Sequence, residues 1–469
     1  MASKASIPWR TRALLPTLVL IASSTAIVAS LGAPLVPQIA QDEQVSLSSA
    51  QWILTVTFLT GAVVSPLVGR LGGGHQRRPV ILGGLCAMLL GSVLAALPLG
   101  FGAMVLGRVL QGVGLSLSPL AIAVAREVVT ANRRAAAIAT LSVTTVAGAG
   151  MGYPIASLIV QQYGVSAAYW AGAAISAATL GAAVLVIPAN HTSERRSLDH
   201  VGAVLLGGGT GGLLLCVSQA HVWGWAGPST IGLALASLAL LGGWARWTLS
   251  RTDPLVDLRL SVRHGVLGAN VTALLAGCGM YMLITLVILL VQAPADTGYG
   301  LGHSVSVAGL MLVPFSIASV LGNRSTGRLV RFVTPDALLP IGCTLFLVAT
   351  LVLAAFSGHL WGCALAMTIG GFASGCSFSA MPGLIVRFVP ASETGSAMGF
   401  NQILRFLGFA TGSALVLVIL EHFAGPGGAL TPEGFSAGAL ASSAVSGVAA
   451  VLALALARSV REPVPQSVV

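Results

Sequence analysis

Residues 50–98 read AQWILTVTFLTGAVVSPLVGRLGGGHQRRPVILGGLCAMLLGSVLAALP. Two apolar runs, 50–71 and 80–98, lie on either side of a short loop rich in glycine and arginine. A helix needs about 20 apolar residues to cross the hydrocarbon core of a bilayer. The stretch therefore predicts two membrane-spanning helices joined by a tight connection.

Apolar runs of this kind recur along almost the whole chain. The 469 residues are 55% hydrophobic and only 8% charged, and their mean hydropathy is +0.92. A soluble protein of this length would need far more charge to cover its surface. We predict an all-α membrane protein with about fourteen transmembrane helices and no soluble domain. The predicted spans are 14–39, 50–71, 80–98, 102–126, 136–160, 167–188, 201–221, 228–248, 265–291, 304–323, 337–356, 360–388, 396–420 and 436–457.

The net charge of +10 comes from arginines that cluster at the chain ends and in alternate loops. This asymmetry follows the positive-inside rule. We therefore expect the basic loops and both termini in the cytoplasm, in a multi-pass protein of the inner (plasma) membrane. Charge distributed in this way indicates the lipid bilayer as a partner and not nucleic acid. The acidic residues of the intervening loops are Asp42, Glu43, Asp296, Glu421 and Glu433.

Other function classes find no support in the sequence. The six cysteines all lie within apolar segments without metal-ligand spacing, so we expect packing residues and no disulfide or metal site. There is no phosphate-binding loop, His/Cys cluster or acyltransferase-like motif, so we expect no catalytic activity and no cofactor. The first apolar segment is too long for a signal peptide and is expected to be retained.

Two short patterns repeat at nearly the same offset. Gly69-Arg70-Leu71 returns as Gly327-Arg328-Leu329 after 258 residues, and Gly148-x-x-x-Gly152 returns as Gly408-x-x-x-Gly412 after 260. Two unrelated features at one offset indicate duplication of a six-helix unit. We predict an N-terminal six-helix bundle (1–188), a two-helix insertion (189–250) and a C-terminal six-helix bundle (251–469).

Several motifs, in order and spacing, resemble those of the major facilitator superfamily. The stretch 69–78 is similar to the loop 2–3 signature G-x-x-x-D-x-x-G-R-[KR], with Gly73 in place of Asp and Gln76 in place of Gly. Arg108-x-x-Gln111-Gly112-x-Gly114 matches the span-four motif R-x-x-Q-G-x-G. Further stretches resemble the fourteen-helix drug:proton antiporters of that superfamily. They are 148–154, 199–202, 254–258, 298–300 and 308–314.

The resemblance implies a fold of two pseudo-symmetric six-helix bundles plus two extra central helices. It also implies a monomer that exports drugs or secondary metabolites (antibiotic efflux) by alternating access in exchange for protons. In this subfamily span one usually carries an acidic residue, where the present chain has Thr25 or Val28. A second interpretation is therefore a facilitator or exchanger that is not coupled to protons. A third is a membrane sensor that transports nothing.

Two arginines lie inside apolar segments, where a charge is costly and must face a cavity or a partner. Arg108, with Gln111 three residues later, is either a cavity-lining cation or a helix–helix clamp onto backbone carbonyls of span one. Arg405, with Asn401 one turn earlier, is either a cavity residue or part of an interhelical hydrogen-bond network. Two intramembrane arginines without a clear intramembrane acid predict a preference for neutral or anionic substrates over lipophilic cations. Thr145, which overlays Arg405 in the repeat, and Tyr281 are further cavity candidates.

A third group of candidates concerns gating and packing. By resemblance, Glu127 pairs with Arg77, next to Arg78, and the pair stabilises the outward-open state. The alternatives for Glu127 are proton carriage and a solvated helix end. The remaining candidates are expected to serve as close-packing or hinge positions, or as plain small-residue packing. They are Gly112, Gly148, Gly152, Pro154, Gly408 and Gly412.

Overall fold

A computed structural model describes residues 8–32, 35–45, 47–72, 76–188, 199–295, 299–330, 332–423 and 431–459. Over these residues the regular structure is entirely helical. The α-helices are α1 (Pro8–Ser30), α2 (Val36–Asp42), α3 (Leu47–Gly72), α4 (Arg77–Ala96), α5 (Phe101–Leu115), α6 (Leu117–Val128), α7 (Ala131–Val186), α8 (His200–Trp223), α9 (Pro228–Ser250), α10 (Leu258–Ser261), α11 (His264–Gln292), α12 (Val305–Leu310), α13 (Leu312–Leu329), α14 (Leu338–Ala355), α15 (Leu360–Phe388), α16 (Thr394–His422) and α17 (Pro432–Ser459).

Among the described residues, 13 helical stretches are long and apolar enough to cross a membrane. They correspond to all the predicted spans except 136–160, which lies in the first limb of α7. Several side chains of that limb fall outside the described residues. Helix α7 has 56 residues and changes direction at Gly164, whose φ of 80° suits a residue without a Cβ atom. Its two limbs therefore occupy the places of two predicted spans.

Three predicted spans are interrupted, which corrects their treatment as single helices. Span 14–39 ends as a regular helix at Ser30, and the separate helix α2 follows. Spans 102–126 and 304–323 break at Ser116 and Met311, each three residues before a proline. Proline lacks an N–H group and its ring crowds the carbonyl four residues earlier, so both breaks have a local cause.

The helices pack as two sets of six that meet along a seam. In the N-terminal set α1 packs on α7 and α4 on α5, and in the C-terminal set α11 packs on α16 and α13 on α15. The sets meet where α3 contacts α16 and where α7 contacts α13 and α15. This is the expected fold of two six-helix bundles, although the domain boundaries at 188 and 250 stay a prediction.

The two inserted helices lie beside this seam. Helix α8 packs on α9 and also contacts both α3 and α16. The Thr55 and Ser218 hydroxyls, on α3 and α8, form a hydrogen bond of 2.9 Å. In the C-terminal bundle, the ring of Phe400 (α16) lies 5.6 Å from the ring of Trp244 (α9). The insertion therefore contacts both bundles.

The glycines predicted to allow close packing lie at helix–helix contacts. A Cβ atom at Gly112 would stand 2.6 Å from the carbonyl oxygen of Thr57, and one at Gly148 would stand 3.0 Å from the Cβ of Ala26. A Cβ atom at Gly152 would overlap the Ser30 hydroxyl. Such small residues let helices approach in lipid, where no hydrophobic force drives them together. The side chain of Pro154 lies outside the described residues, and a hinge role for this segment stays a prediction.

Gly408 and Gly412 repeat this arrangement in the C-terminal bundle. Cβ atoms at these positions would overlap the backbone carbonyls of Leu274 and Cys278, on α11. The close α11–α16 contact therefore depends on the absence of a side chain at Gly408 and Gly412.

We expect Gly412→Val to destabilise the protein by about 1–3 kcal/mol, because the added carbons must push α11 and α16 apart. Gly447→Val is the matched control, since no atom lies within 4 Å of a Cβ atom at Gly447. Thermal unfolding of the two purified variants in detergent measures the difference. Equal melting temperatures would contradict the close α11–α16 contact.

Candidate functional site

A small cavity lies between the two bundles. Helices α6 and α7 line it from the N-terminal bundle, and α15 and α16 line it from the C-terminal bundle. The lining is apolar on some sides and carries hydroxyl, carboxamide and guanidinium groups on others. The lining residues are Ser118, Pro119, Ile122, Ser142, Thr145, Phe378, Met381, Pro382, Met398, Asn401, Gln402 and Arg405.

Arg405 supplies the charge in this cavity. It is the twelfth residue of α16, so it lies roughly 17 Å along the helix axis from the first residue, Thr394. Its guanidinium donates a hydrogen bond to the Gln402 side-chain oxygen. The guanidinium carbon also lies 5.3 Å from the centre of the Phe378 ring. Arg405 is therefore held by one neutral acceptor and one aromatic face.

Asn401 and Thr145 reach the same cavity from opposite bundles, and Thr145 is the residue that overlays Arg405 in the repeat. Asn401 donates hydrogen bonds of 3.2 Å to the Ala269 carbonyl and 3.1 Å to the Asn270 side chain, both on α11. The Thr145 hydroxyl bonds to the Leu141 carbonyl one turn earlier, at 3.1 Å. Two alternatives were considered for Arg405, a cavity position and a place in an interhelical hydrogen-bond network. The structure shows Arg405 in the cavity, and it shows an interhelical hydrogen bond made by its neighbour Asn401.

Tyr281 does not belong to the residues that line the cavity. Its ring stacks on Phe409 with centroids 4.4 Å apart, and Phe409 meets Phe378 edge to face at 6.4 Å. Tyr281 is therefore linked through Phe409 to Phe378, the aromatic face beneath Arg405.

Arg108 and Gln111 also lie outside the cavity lining. Arg108 is completely buried, and it donates to the carbonyls of Val28 and Ala29 at 3.2 and 2.9 Å. It also donates to the Ile53 carbonyl at 2.9 Å and to the Gln111 side chain at 2.7 Å. Because α1 ends at Ser30, the Val28 and Ala29 carbonyls are among those that a helix end leaves unpaired. The geometry favours the clamp over the cavity-lining alternative, and it extends the clamp from span one to α3.

Arg77, Arg78 and Glu127 join helix ends within the N-terminal bundle. Arg77, at the start of α4, forms an ion pair with Glu127 near the end of α6. Arg78 donates a 3.0 Å hydrogen bond to the Val184 carbonyl near the end of α7. The Gly73 position of the loop motif lies outside the described residues. The expected Arg77–Glu127 pair is thus present, but it does not cross between the bundles.

Arg70 forms ion pairs that cross the seam between the bundles. It was not among the predicted site residues. Its side chain is 1% exposed and lies 3.0 Å from the Glu393 carboxylate, immediately before α16. It also pairs with Asp253 in the loop after α9. Residues 70, 253 and 393 are far apart in the sequence, so no local pattern indicates that they meet. The arginine's place in the repeated Gly-Arg-Leu was the available signal.

A second arginine and two glycines complete this contact at the basic end, where α3, α6 and α15 finish and α16 begins. Arg126 donates to the Val389 carbonyl at 2.9 Å and to the Thr394 hydroxyl. The backbones of Gly69 and Gly395 touch so closely that neither position has room for a Cβ atom. These contacts join the two bundles at the basic end.

A family model described as Major Facilitator Superfamily matches residues 18–294 and 269–468. The chain belongs to the major facilitator superfamily. Its relatives include a cephamycin export protein of Amycolatopsis lactamdurans, 28% identical over 82% of this chain and 79% of that protein. A tetracenomycin C resistance and export protein of Streptomyces glaucescens is 27% identical over 89% of this chain and 77% of that protein.

Solved structures share the fold of this major facilitator. The human organic anion transporter of the superfamily superposes with a TM-score of 0.68 at 15% identity, covering 94% of this chain and 99% of that one. A POT family transporter gives a TM-score of 0.61 at 14% identity, covering 95% and 98%. At these identities the likeness concerns the fold alone.

We expect Arg70→Gln to loosen the basic end of this major facilitator, because it removes the charge that pairs with both Glu393 and Asp253. The reporter is Ala397→Cys, a buried position near the start of α16, with the exposed Cys86 replaced by serine. Its labelling by a charged maleimide in detergent should rise several-fold. Arg77→Gln is the control, since the Arg77–Glu127 pair stays within one bundle. Equal labelling in the two variants would contradict the assignment.

We expect Arg108→Gln to destabilise the protein more than Arg405→Gln, because the Arg108 clamp satisfies three buried backbone carbonyls. Each carbonyl left without a donor costs about 1–3 kcal/mol. Thermal unfolding of the two variants side by side measures this. A melting temperature of the Arg108 variant that equals or exceeds that of the Arg405 variant would argue against the clamp.

Proposed function

We propose that this major facilitator exports small amphipathic molecules, such as antibiotics or other secondary metabolites, by alternating access. The observation that carries the proposal is the cavity between the bundles, whose walls come from both of them. Rocking of one bundle against the other would expose such a site to each side of the membrane in turn. The mixed lining, with Phe378 and Met381 near hydroxyl and carboxamide groups, suits molecules that are partly apolar. The cephamycin and tetracenomycin exporters among the relatives support this substrate class.

The proposed orientation assigns the contacts at the basic end to one side of the membrane. By the positive-inside rule, we propose that the protein lies in the plasma membrane with its basic end and both termini facing the cytoplasm. In this orientation the Arg70 and Arg126 contacts close the cytoplasmic side. The substrate would enter when these contacts separate and leave after they have formed again. The Arg77–Glu127 pair would keep α4 and α6 together during this movement. We propose a monomer as the working unit.

The coupling of export to protons has two candidate answers. Exchange for protons is what the resemblance to drug:proton antiporters implies. At the position where those proteins carry an acid, the Thr25 hydroxyl bonds to Ser118 at 3.1 Å, and the alternative position is Val28. Neither side chain ionises, and Glu127, the acid that ends α6, is held by Arg77 at the basic end. These observations favour the second candidate, a transporter that is not coupled to protons.

We expect Thr145→Leu to lower transport at least about tenfold, because the larger side chain fills the cavity from α7 and removes a hydroxyl. Thr140→Leu is the matched control, since Thr140 is exposed on the same helix. Purified protein in liposomes is tested with cationic, neutral and anionic aromatic compounds. Initial uptake rates and melting temperatures are recorded for both variants.

A pH gradient across the same liposomes separates the two coupling candidates. Uphill movement of a compound driven by that gradient would establish proton exchange, and indifference to it would support the uncoupled candidate. Equal transport by the Thr145 and Thr140 variants would contradict this cavity as the substrate site.

A further inference from the structure

The guanidinium of Arg405 faces the cavity without an acidic neighbour among the residues that line it. Of the twelve lining residues, Arg405 alone carries a formal charge. Its hydrogen bond to Gln402 and its contact with the Phe378 ring are both made to neutral groups. The side chains that line the cavity therefore carry a net positive charge.

The acids of the chain lie in its loops and at its helix ends. All 13 aspartate and glutamate residues are placed in this way by the sequence. Glu127 is five residues beyond Ile122, the last lining residue of α6, and Glu393, just before α16, is twelve residues before Arg405. These separations correspond to roughly 8 and 18 Å along a helix. Both carboxylates already pair with arginines at the basic end. Neither is placed to neutralise Arg405.

An arginine in this setting favours a substrate that brings the missing charge. Closing the bundles around a cation removes water from it, and the cost falls when an anion is enclosed with it. A planar guanidinium binds carboxylate or sulfonate oxygens through paired hydrogen bonds. The Phe378 ring and the Met381 and Met398 side chains offer an apolar surface beside it. The complementary ligand has one negative charge attached to an aromatic or otherwise apolar body.

We propose that Arg405 binds an amphipathic monoanion in this cavity, and that the membrane potential acting on the charge of the substrate drives its export. This inference rests on the proposed function and supplies the driving force. No proton is exchanged. Arg405 returns with the empty carrier, still bonded to Gln402 and stacked on Phe378, so each cycle moves one net negative charge outward. Because the cytoplasm is the negative side, about 100 mV sustains about a 50-fold concentration ratio. An intramembrane acid is then not required.

Three naphthalene compounds of similar size test the charge preference. They are 2-naphthalenesulfonate, the neutral 2-naphthalenesulfonamide and the cationic 2-naphthyltrimethylammonium. The sulfonate stays ionised throughout the accessible pH range, so it cannot carry a proton itself. The purified full-length protein is placed in liposomes, and a potassium gradient with valinomycin makes the interior positive. A passive electrogenic carrier responds to the potential in either orientation, so mixed insertion does not matter.

We expect the sulfonate to accumulate toward a ratio of about 50 at about 100 mV, and the sulfonamide to reach no more than equilibrium. A pH gradient at zero potential should give no accumulation of the sulfonate. Arg405→Gln should lower sulfonate uptake at least about tenfold and raise the uptake of the cation relative to it. Arg405→Lys should keep the preference for the anion, because the charge remains. Arg458→Gln, at the end of α17, removes a charge far from the cavity in sequence and should change neither uptake nor preference.

The outcomes separate this inference from the proposed function. Preference for the cation or the sulfonamide, or sulfonate uptake that follows pH and not potential, overturns the inference while transport stands. Unchanged preference in Arg405→Gln overturns it as well. If none of the three compounds moves in the wild-type protein, the inference fails together with the proposed export of small amphipathic aromatics. Reversal of charge preference in Arg405→Gln would not follow from mere structural damage.

Discussion

Within a bilayer every backbone amide and carbonyl must find its partner inside the protein, and the first span shows how this chain meets that requirement. Helix α1 ends at Ser30, so the helix itself supplies no amide donors to the Val28 and Ala29 carbonyls. Arg108 reaches across from α5 and donates to both of them, and to a carbonyl of α3 as well. One side chain thus fixes three helices of the N-terminal bundle around a helix end. Gly32 leaves the space that the guanidinium occupies, because a Cβ atom there would stand 2.7 Å from it.

The two intramembrane arginines consequently have different surroundings. Arg108 donates to three backbone carbonyls and to the Gln111 carboxamide. Arg405 faces a cavity, with one carboxamide and one ring beside it. Sequence alone treats the two residues alike, since each is a cation in an apolar run with a carboxamide one turn away. The difference comes from what lies on the neighbouring helices, namely a terminated helix beside Arg108 and the seam between the bundles beside Arg405.

The parts of the fold that could be predicted are those that leave a pattern in the local sequence. Span positions follow from hydrophobic length, and the two-bundle arrangement follows from the repeat of Gly148-x-x-x-Gly152 at 408–412. The Arg77–Glu127 pair was expected because motifs record contacts that relatives share. The break after Ser30 was missed because hydropathy does not register where a helix stops. The Arg70 contacts were missed because Asp253 and Glu393 come from distant loops, and only the folded chain brings three such segments together.

The position of α8 makes the two sides of the seam mechanically unequal. On one side, α8 and α9 contact both bundles through Thr55, Ser218, Trp244 and Phe400. On that side, the inserted helices cover the contact between the bundles. On the other side α7 and α13 meet, and side chains of these two helices such as Leu158 and Ile317 are more than half exposed. A change in bilayer thickness or lateral tension would therefore act on the α7–α13 contact through the surrounding lipid. At the α3–α16 contact the inserted helices lie between the lipid and the bundles.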